Sequence, residues 1–123
     1  LSGGMQQRVS IARALGFAPK LLMMDEPFGA LDALTRQGLQ DEVARLVHDD
    51  GLTVLFVTHD LEEALYLGDR VIALQSNPGP GRPSLARTID VRIPRPRDQL
   101  GTKEHPDFLR LRRELFAFIE QGH

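Results

Sequence analysis

The stretch LLMMDEPFGALD, residues 21–32, contains the features that decide the fold. It opens on a short, nearly continuous apolar run, which is typical of a strand buried on both faces of a parallel sheet. It closes on Asp32, a good N-cap for the helical pattern that follows over residues 33–48. Similar apolar runs occur at residues 52–57 and 71–74. The alternation of strands and helices predicts a βαβ unit with a right-handed crossover, and therefore an α/β fold built on a parallel sheet.

The chain changes character after Gln75. Before that point, Gly51 is placed to end the first helix, and Asp60 is placed to cap a second, short helix that ends near Gly68. Beyond it, glycines and prolines over residues 77–83 predict a stiff connector, followed by an alternating edge strand over 88–93 and an amphipathic helix from Pro106. We therefore expect two parts, residues 1–76 and residues 77–123.

Composition limits the classes of protein to consider. With 41% hydrophobic and 26% charged residues the chain has ordinary globular composition, and without cysteine it has no disulfide framework and no thiolate metal site. No apolar run approaches the roughly 18–20 residues that span a bilayer. Most basic residues lie after Gln75, but acidic residues are interspersed with them. This pattern predicts a salt-bridged surface rather than a nucleic-acid site.

Two adjacent carboxylates, Asp25 and Glu26, directly follow the first predicted strand. The carboxyl edge of a parallel sheet is where α/β folds bind ligands. There Asp25 could ligate Mg²⁺ and Glu26 could orient or deprotonate an attacking water, although a solvated acidic turn before Pro27 explains the same residues. His59 follows the neighbouring strand, and we expect it at the same edge, within reach of a bound phosphate.

The chain begins with LSGG, in front of a helical pattern that we expect to start near Met5. Ser2 is suited to cap this helix, while Gly3 and Gly4 would let the backbone approach a ligand closely. The start of a helix also attracts anions, so a phosphate site is one interpretation. An ordinary N-cap with glycines in a turn is the other.

Taken together, LSGGMQQR, LLMMDEP, GALD and VTHD resemble the nucleotide-binding subunit of ABC transporters, over residues 1–75. The resemblance implies that the chain is the C-terminal half of a P-loop NTPase domain. It assigns the motifs as follows: Leu1–Arg8 as the signature motif, with Met5 departing from the commonest form, Leu21–Asp25 as Walker B, Glu26 as the catalytic carboxylate, Gly29–Asp32 as the D-loop, and His59 as the switch histidine.

The same resemblance implies ATP and Mg²⁺ as cofactors. Asp25 would hold the metal, and Asp32 would lie near the nucleotide. Ser2, Gly3 and Gly4 would grip the γ-phosphate across the interface with a second nucleotide-binding subunit, in a homodimer. The further partners implied are transmembrane permease subunits and, indirectly, a solute-binding protein, which place the subunit peripherally at the cytoplasmic face of the plasma membrane, with no nucleic acid bound.

The 123 residues contain no G-x-x-x-x-G-K-[ST] sequence, the loop that cradles nucleotide phosphates. We therefore expect this chain to be a fragment that neither binds ATP tightly nor hydrolyses it alone. The tail, with NPGPGRP, RTIDVRIPRPRD and FLRLRREL, is similar to the C-terminus of importers for nitrate, sulfonate and taurine.

Two alternatives remain open at this stage. A soluble ABC ATPase of DNA maintenance also has a signature helix and an acidic pair, and its mark would be salt-dependent DNA binding. A non-catalytic module that holds a partner through a sheet edge would equally lack the phosphate loop. The sequence favours a transport ATPase, because the continuous LSGGMQQRVSIARAL segment resembles transporters and heptad repeats are missing from the printed sequence.

Overall fold

The computed structural model of the chain describes residues 3–16, 20–75, 80 and 85–121. Its helices and strands, in chain order, are α1 (Gly3–Leu15), β1 (Leu21–Asp25), α2 (Ala33–Asp50), β2 (Thr53–Val57), α3 (Leu61–Leu67), β3 (Arg70–Leu74), β4 (Ala86–Asp90), α4 (Gly101–Glu104) and α5 (Pro106–Glu120). The chain divides into two compact units, Leu1–His59 and Asp60–His123.

The first unit is the predicted βαβ arrangement. Strands β1 and β2 pair in parallel, with Leu21 opposite Thr53 and Asp25 opposite Val57, and α2 connects them. Helix α2 is capped by Asp32, whose carboxylate accepts from the Thr35 amide at 2.9 Å, as its sequence predicts. The helix ends at Gly51, where a φ of 66° gives the left-handed backbone that favours glycine.

The sheet of the first unit is buried on one face, which corrects the expectation of strands buried on both. Met24 is buried in a core formed with Ile11 of α1 and with Leu39 and Val43 of α2. Side chains at alternate positions of the two strands point the other way and are exposed; they are Leu21, Met23, Leu55 and Val57. The reason is that, in the described part of this unit, the core-forming residues of both helices lie on the Met24 face.

The second unit is built on an antiparallel pair. Strand β3 pairs with β4, with Val71 opposite Ile89, so the third apolar run does not extend a parallel sheet as expected. Burial on alternate sides of β4 agrees with the sequence: Ile89, Val91 and Ile93 are buried and Arg92 is exposed. The ladder itself spans Ala86–Asp90, two residues earlier at its start than the predicted edge strand.

The helices of the second unit begin at polar caps. Asp60 accepts from the amides of Glu62 and Glu63, at 3.0 and 3.2 Å, and α3 ends at Gly68, as predicted. Helix α5 begins at Pro106, also as predicted, with the Nδ1 of His105 accepting from the Asp107 amide. Its buried stripe is Phe108, Leu111, Leu115 and Phe118, which agrees with the predicted amphipathic helix. The short helix α4 was not predicted from the sequence.

Two arginines of the PRPRD stretch bind the end of α3. Arg95 pairs with Asp69 at 3.0 Å, whereas Arg97 donates to backbone carbonyls rather than to Asp98. The five carbonyls that accept from Arg97 belong to Leu65, Tyr66, Gly68, Val91 and Ile93. Burial of the guanidinium, together with the positive charge of Arg95, lowers the pKa of Arg97 to about 10, so the group stays charged at neutral pH.

The compact units do not coincide with the expected division into residues 1–76 and 77–123. Strand β3 belongs with the C-terminal residues because it pairs with β4, and because the Gln75 amide group donates to the Phe118 carbonyl at 2.9 Å. A functional boundary near residue 76 stays a prediction. The predicted connector over residues 77–83 lies outside the described residues, apart from Pro80.

Candidate functional site

The carboxyl ends of β1 and β2 bring the acidic pair and the histidine to one edge of the sheet. Asp25 ends β1 opposite Val57, so the residues that follow the two strands leave the sheet side by side. The Glu26 amide donates to the Val57 carbonyl at 2.8 Å, which extends the pairing by one residue. The Oε1 atom of Glu26 is hydrogen-bonded to Nδ1 of His59. The predicted meeting of Glu26 and His59 at this edge is therefore present.

The acid–imidazole pair is accessible to a ligand. The Glu26 side chain is 33% exposed, and that of His59 is 95% exposed. The contact through Nδ1 leaves Nε2 as the ring nitrogen available to a ligand. The pair therefore combines a half-buried acid with an open imidazole, an arrangement suited to a phosphate and a water molecule arriving from solvent.

The backbone of Glu26 is left-handed, with φ at 48°. Residues other than glycine rarely adopt this conformation, which costs roughly 1–3 kcal/mol and persists only where the surroundings impose it. Such residues occur often at functional sites. The strained position is the residue that the sequence analysis selected as the catalytic carboxylate.

The loop after Glu26 is held by two side chains for which no individual role was predicted, although Gln7 lies within the Leu1–Arg8 motif. Gln7 of α1 donates to the Pro27 carbonyl, and Arg36 of α2 donates to the carbonyls of Phe28 and Gly29. Both residues lie on polar positions of helices, where glutamine and arginine are common, so their sequence context gives no signal of this role. Only the folded arrangement identifies them.

Asp32 is engaged in capping rather than directed at an open site. Its two carboxylate oxygens accept from the amide and the hydroxyl of Thr35, both at 2.9 Å. The Thr35 amide, followed by the hydroxyl, holds the pKa of Asp32 below its usual value. The nucleotide-binding role assigned to Asp32 by resemblance stays a prediction beside this structural one.

The residues present fit a magnesium ion of the kind that keeps most of its ligands from water and phosphate. In the described part of the chain, no group of three or more histidine and acidic side chains could hold a metal by itself. Mg²⁺ bound with a nucleotide commonly needs only one or two carboxylates from the protein. Asp25, exposed at the end of β1 and next to Glu26, is placed where it would supply one such carboxylate.

The predicted phosphate-gripping residues are only partly described. Ser2 lies outside the described residues, while Gly3 and Gly4 form the first turn of α1. The helix therefore begins two residues before the expected Met5, and the first amides of α1 belong to the glycines. Their contact with a phosphate stays a prediction.

A family model and several known proteins match this chain. The family model described as ABC transporter matches residues 1–29. The chain is 50% identical to the nitrate import ATP-binding protein NrtC of Synechocystis sp. and 49% identical to the bicarbonate transport ATP-binding protein CmpC of the same organism. Each match covers 98% of this chain and 18% of the relative.

A third relative is shorter. The bicarbonate transport ATP-binding protein CmpD of Synechococcus elongatus is 43% identical, over 97% of this chain and 42% of its own length. The chain thus spans less than half the length of each of these relatives. Within the residues that the structure describes, no helix is long and apolar enough to cross a membrane.

Proposed function

Because the chain belongs to the ABC transporter family, we propose that it forms the catalytic edge of an ATP-hydrolysing subunit that powers an importer. The observation that carries the proposal is the hydrogen bond between Glu26 and His59 at the carboxyl edge of a parallel strand pair. The relatives are all import or transport ATP-binding proteins, which supports transport over DNA maintenance.

Glu26 acts as the general base in this proposal. Its carboxylate orients the attacking water and accepts its proton as the bond from the water oxygen to the γ-phosphorus forms and the bond from that phosphorus to the bridging oxygen breaks, so that ADP leaves. Because the backbone of Glu26 is already held in place, less conformational entropy is lost when its carboxylate takes up the position beside the water. The amide bond to Val57 anchors the base to the end of β2.

His59 binds both the base and the phosphate. Its Nδ1 faces Glu26, and Nε2 is free to donate to a phosphate oxygen. A hydrogen bond from Nε2 would help to stabilise the charge that develops on the transferred phosphoryl group.

Asp25 would hold the magnesium ion that accompanies ATP. When bound, the ion neutralises phosphate charge and helps to orient the phosphates. Asp25 and Glu26 are adjacent, yet they have separate duties, since one carboxylate would be committed to the metal and the other stays available for a proton. The exposure of Asp25 and the half-burial of Glu26 fit this division.

The remaining roles rest on the family resemblance. Ser2, Gly3 and Gly4 would bind the γ-phosphate of a nucleotide held by a second copy of the subunit, and Asp32 would lie beside the nucleotide. The subunit would dock on permease subunits at the cytoplasmic face of the plasma membrane, with a solute-binding protein delivering the solute. The relatives are named for nitrate and bicarbonate, so we propose a small oxyanion as the solute, with sulfonate and taurine as further candidates.

The replacement Glu26→Gln in the full-length gene product tests the catalytic proposal. Gln keeps the shape of the side chain but does not accept a proton, so we expect hydrolysis to fall by roughly 10²–10⁴-fold while ATP binding is kept. Phosphate release and equilibrium binding of a fluorescent ATP analogue measure the two effects. Glu104→Gln, at an exposed acid of α4, is the matched control and should leave both unchanged.

Unchanged hydrolysis in Glu26→Gln would remove Glu26 from the mechanism. Equal losses in Glu26→Gln and Glu104→Gln would show that neither acid has a specific role. Uptake of labelled nitrate and of labelled bicarbonate, in cells with and without the gene, distinguishes the candidate solutes.

A further inference from the structure

Three consecutive carbonyls after Glu26 accept hydrogen bonds from side chains of two helices. Gln7 of α1 donates through Nε2 to Pro27. Arg36 of α2 donates through Nε to Phe28 at 3.2 Å and through Nη2 to Gly29 at 3.1 Å. Side chains that bind the backbone in this way fix the path of a loop whatever its own side chains are.

The rest of the loop is fixed by its own backbone and by the core. The Gly29 amide donates to the Glu26 carbonyl at 3.4 Å, and the Leu31 amide to the Phe28 carbonyl at 3.2 Å. Phe28 is buried, with its ring 5.6 Å from the ring of Phe56. Each residue from 27 to 29 therefore has at least one contact outside the loop.

These contacts bear on the strained backbone of Glu26. A left-handed glutamate would relax to an ordinary conformation if the following loop were free to rotate, because nothing in its own chemistry favours φ at 48°. The Glu26 amide donates to the Val57 carbonyl, which fixes the backbone on the N-terminal side of Glu26. Gln7 and Arg36 fix the backbone on its C-terminal side, through the carbonyls of residues 27–29.

We propose that Gln7 and Arg36 are positioning residues that keep the Glu26 carboxylate beside His59 by holding the loop carbonyls of residues 27–29. As far as hydrolysis is concerned, this inference rests on the proposed function of Glu26. It adds a connection from α1, because Gln7 lies on the helix that begins at Gly3.

Variants of Gln7 and Arg36 in the full-length gene product test this role. Gln7→Glu keeps the shape but loses the donor, Gln7→Leu loses it without adding charge, and Arg36→Gln removes the guanidinium. We expect kcat to fall roughly threefold to tenfold, the value of one hydrogen bond, with the KM for ATP within about twofold. Arg36→Lys, which keeps the charge and one donor, should recover part of the loss.

Two substitutions serve as matched controls. Ser10→Glu places the same charge on an exposed position of α1, and Arg45→Gln removes an exposed arginine from α2. Both should leave kcat unchanged. Hydrogen exchange of the folded protein gives a readout that does not depend on turnover, and the amides of Glu26 and of residues 28–31 should exchange faster in Gln7→Glu and Arg36→Gln only.

The Glu26→Gln background separates positioning from general stability. If Gln7 and Arg36 act through Glu26, Gln7→Glu and Arg36→Gln should not lower the residual single-turnover rate of Glu26→Gln any further. A loss that persists undiminished in that background would overturn the inference. So would normal kcat and normal exchange in Gln7→Glu and Arg36→Gln alike.

Failure of the inference is distinguishable from failure of the proposed function. If Glu26→Gln lowers hydrolysis but neither Gln7→Glu nor Arg36→Gln does, the positioning role is wrong and the base is kept. If Glu26→Gln hydrolyses ATP normally, the proposed function is wrong, and the exchange of the same loop amides still decides whether Gln7 and Arg36 hold the loop. Should a Gln7 variant fail to fold, Arg36→Gln and Arg36→Lys decide the question.

Discussion

At the scale of single residues, Glu26 and Arg97 show two uses of a charged side chain. Glu26 has a strained backbone and an accessible carboxylate, an environment suited to reaction with a ligand. Arg97 has a half-buried guanidinium that satisfies carbonyls at the end of α3 and after β4. The first arrangement costs stability, and the second supplies it.

Arg97→Ala should destabilise the second unit by roughly 2–3 kcal/mol, because carbonyls that accept a charge-assisted bond would lose their donor. Arg97→Lys should lie between, since an ammonium group keeps the charge without the planar fork. Urea unfolding followed by circular dichroism measures the loss. Arg92→Ala, at an exposed position, should change the free energy of unfolding by less than about 0.5 kcal/mol, and a loss as large as that of Arg97→Ala would contradict this role.

The residues that could be placed from the sequence are those whose positions follow from a local pattern. Asp25, Glu26 and His59 follow apolar runs, and Asp60 precedes a helical pattern, so strand ends and caps identify them. Gln7 and Arg36 were missed because each acts on a loop 20 or 8 residues away along the chain. No local pattern marks a side chain that binds a distant carbonyl.

At the scale of elements, one sequence signal produced two different strand pairings. The apolar runs of β1, β2 and β3 look alike, yet β1 and β2 pair in parallel and β3 pairs antiparallel with β4. An apolar run predicts a strand, whereas its partner is decided by which segment lies beside it in space. The helices were predicted more closely, since Asp32, Gly51 and Gly68 mark their ends locally.

Two glycines allow the same substitution to be tested in opposite senses. A Cβ at Gly68, the end of α3, would lie 2.8 Å from the Ala64 carbonyl oxygen, so Gly68→Ala should destabilise the protein by roughly 1–3 kcal/mol. A Cβ at Gly38, inside α2, would meet nothing within 4 Å, so Gly38→Ala should stabilise it by roughly 0.5–1 kcal/mol.

Thermal unfolding of the two glycine variants, each compared with the unchanged protein, measures these effects. A higher midpoint for Gly68→Ala would show that the end of α3 shifts to accept the methyl group. A lower midpoint for Gly38→Ala would show that α2 has a neighbour at that position.

At the scale of the whole molecule, the α/β class and the meeting of Glu26 with His59 at one edge of the sheet were predicted, but the burial of the sheet was not. The expectation that β1 is buried on both faces assumed that other elements always cover the apolar side chains of a strand. Leu21 and Met23 are instead exposed. In the described residues the helical core lies against the Met24 face. Coverage of a second face depends on elements remote in sequence, which the apolar run itself does not specify.

The 123-residue chain, purified alone, should show no ATP hydrolysis above the blank. It supplies a candidate base, a candidate metal ligand and a histidine, but the printed sequence has no glycine-rich loop ending in Lys-Ser or Lys-Thr to bind the phosphates. Phosphate release at saturating ATP and Mg²⁺ measures this, with the full-length gene product as the positive control. Sustained release that Glu26→Gln abolishes would contradict the expectation.

The left-handed backbone at residue 26 has a consequence for how this loop changes over generations. Glycine or asparagine would fit that backbone at lower cost than glutamate does. Selection for thermal stability alone would therefore replace the acid at this position. Only selection for ATP turnover would keep glutamate there. At this one position, the demands of stability and of catalysis oppose each other.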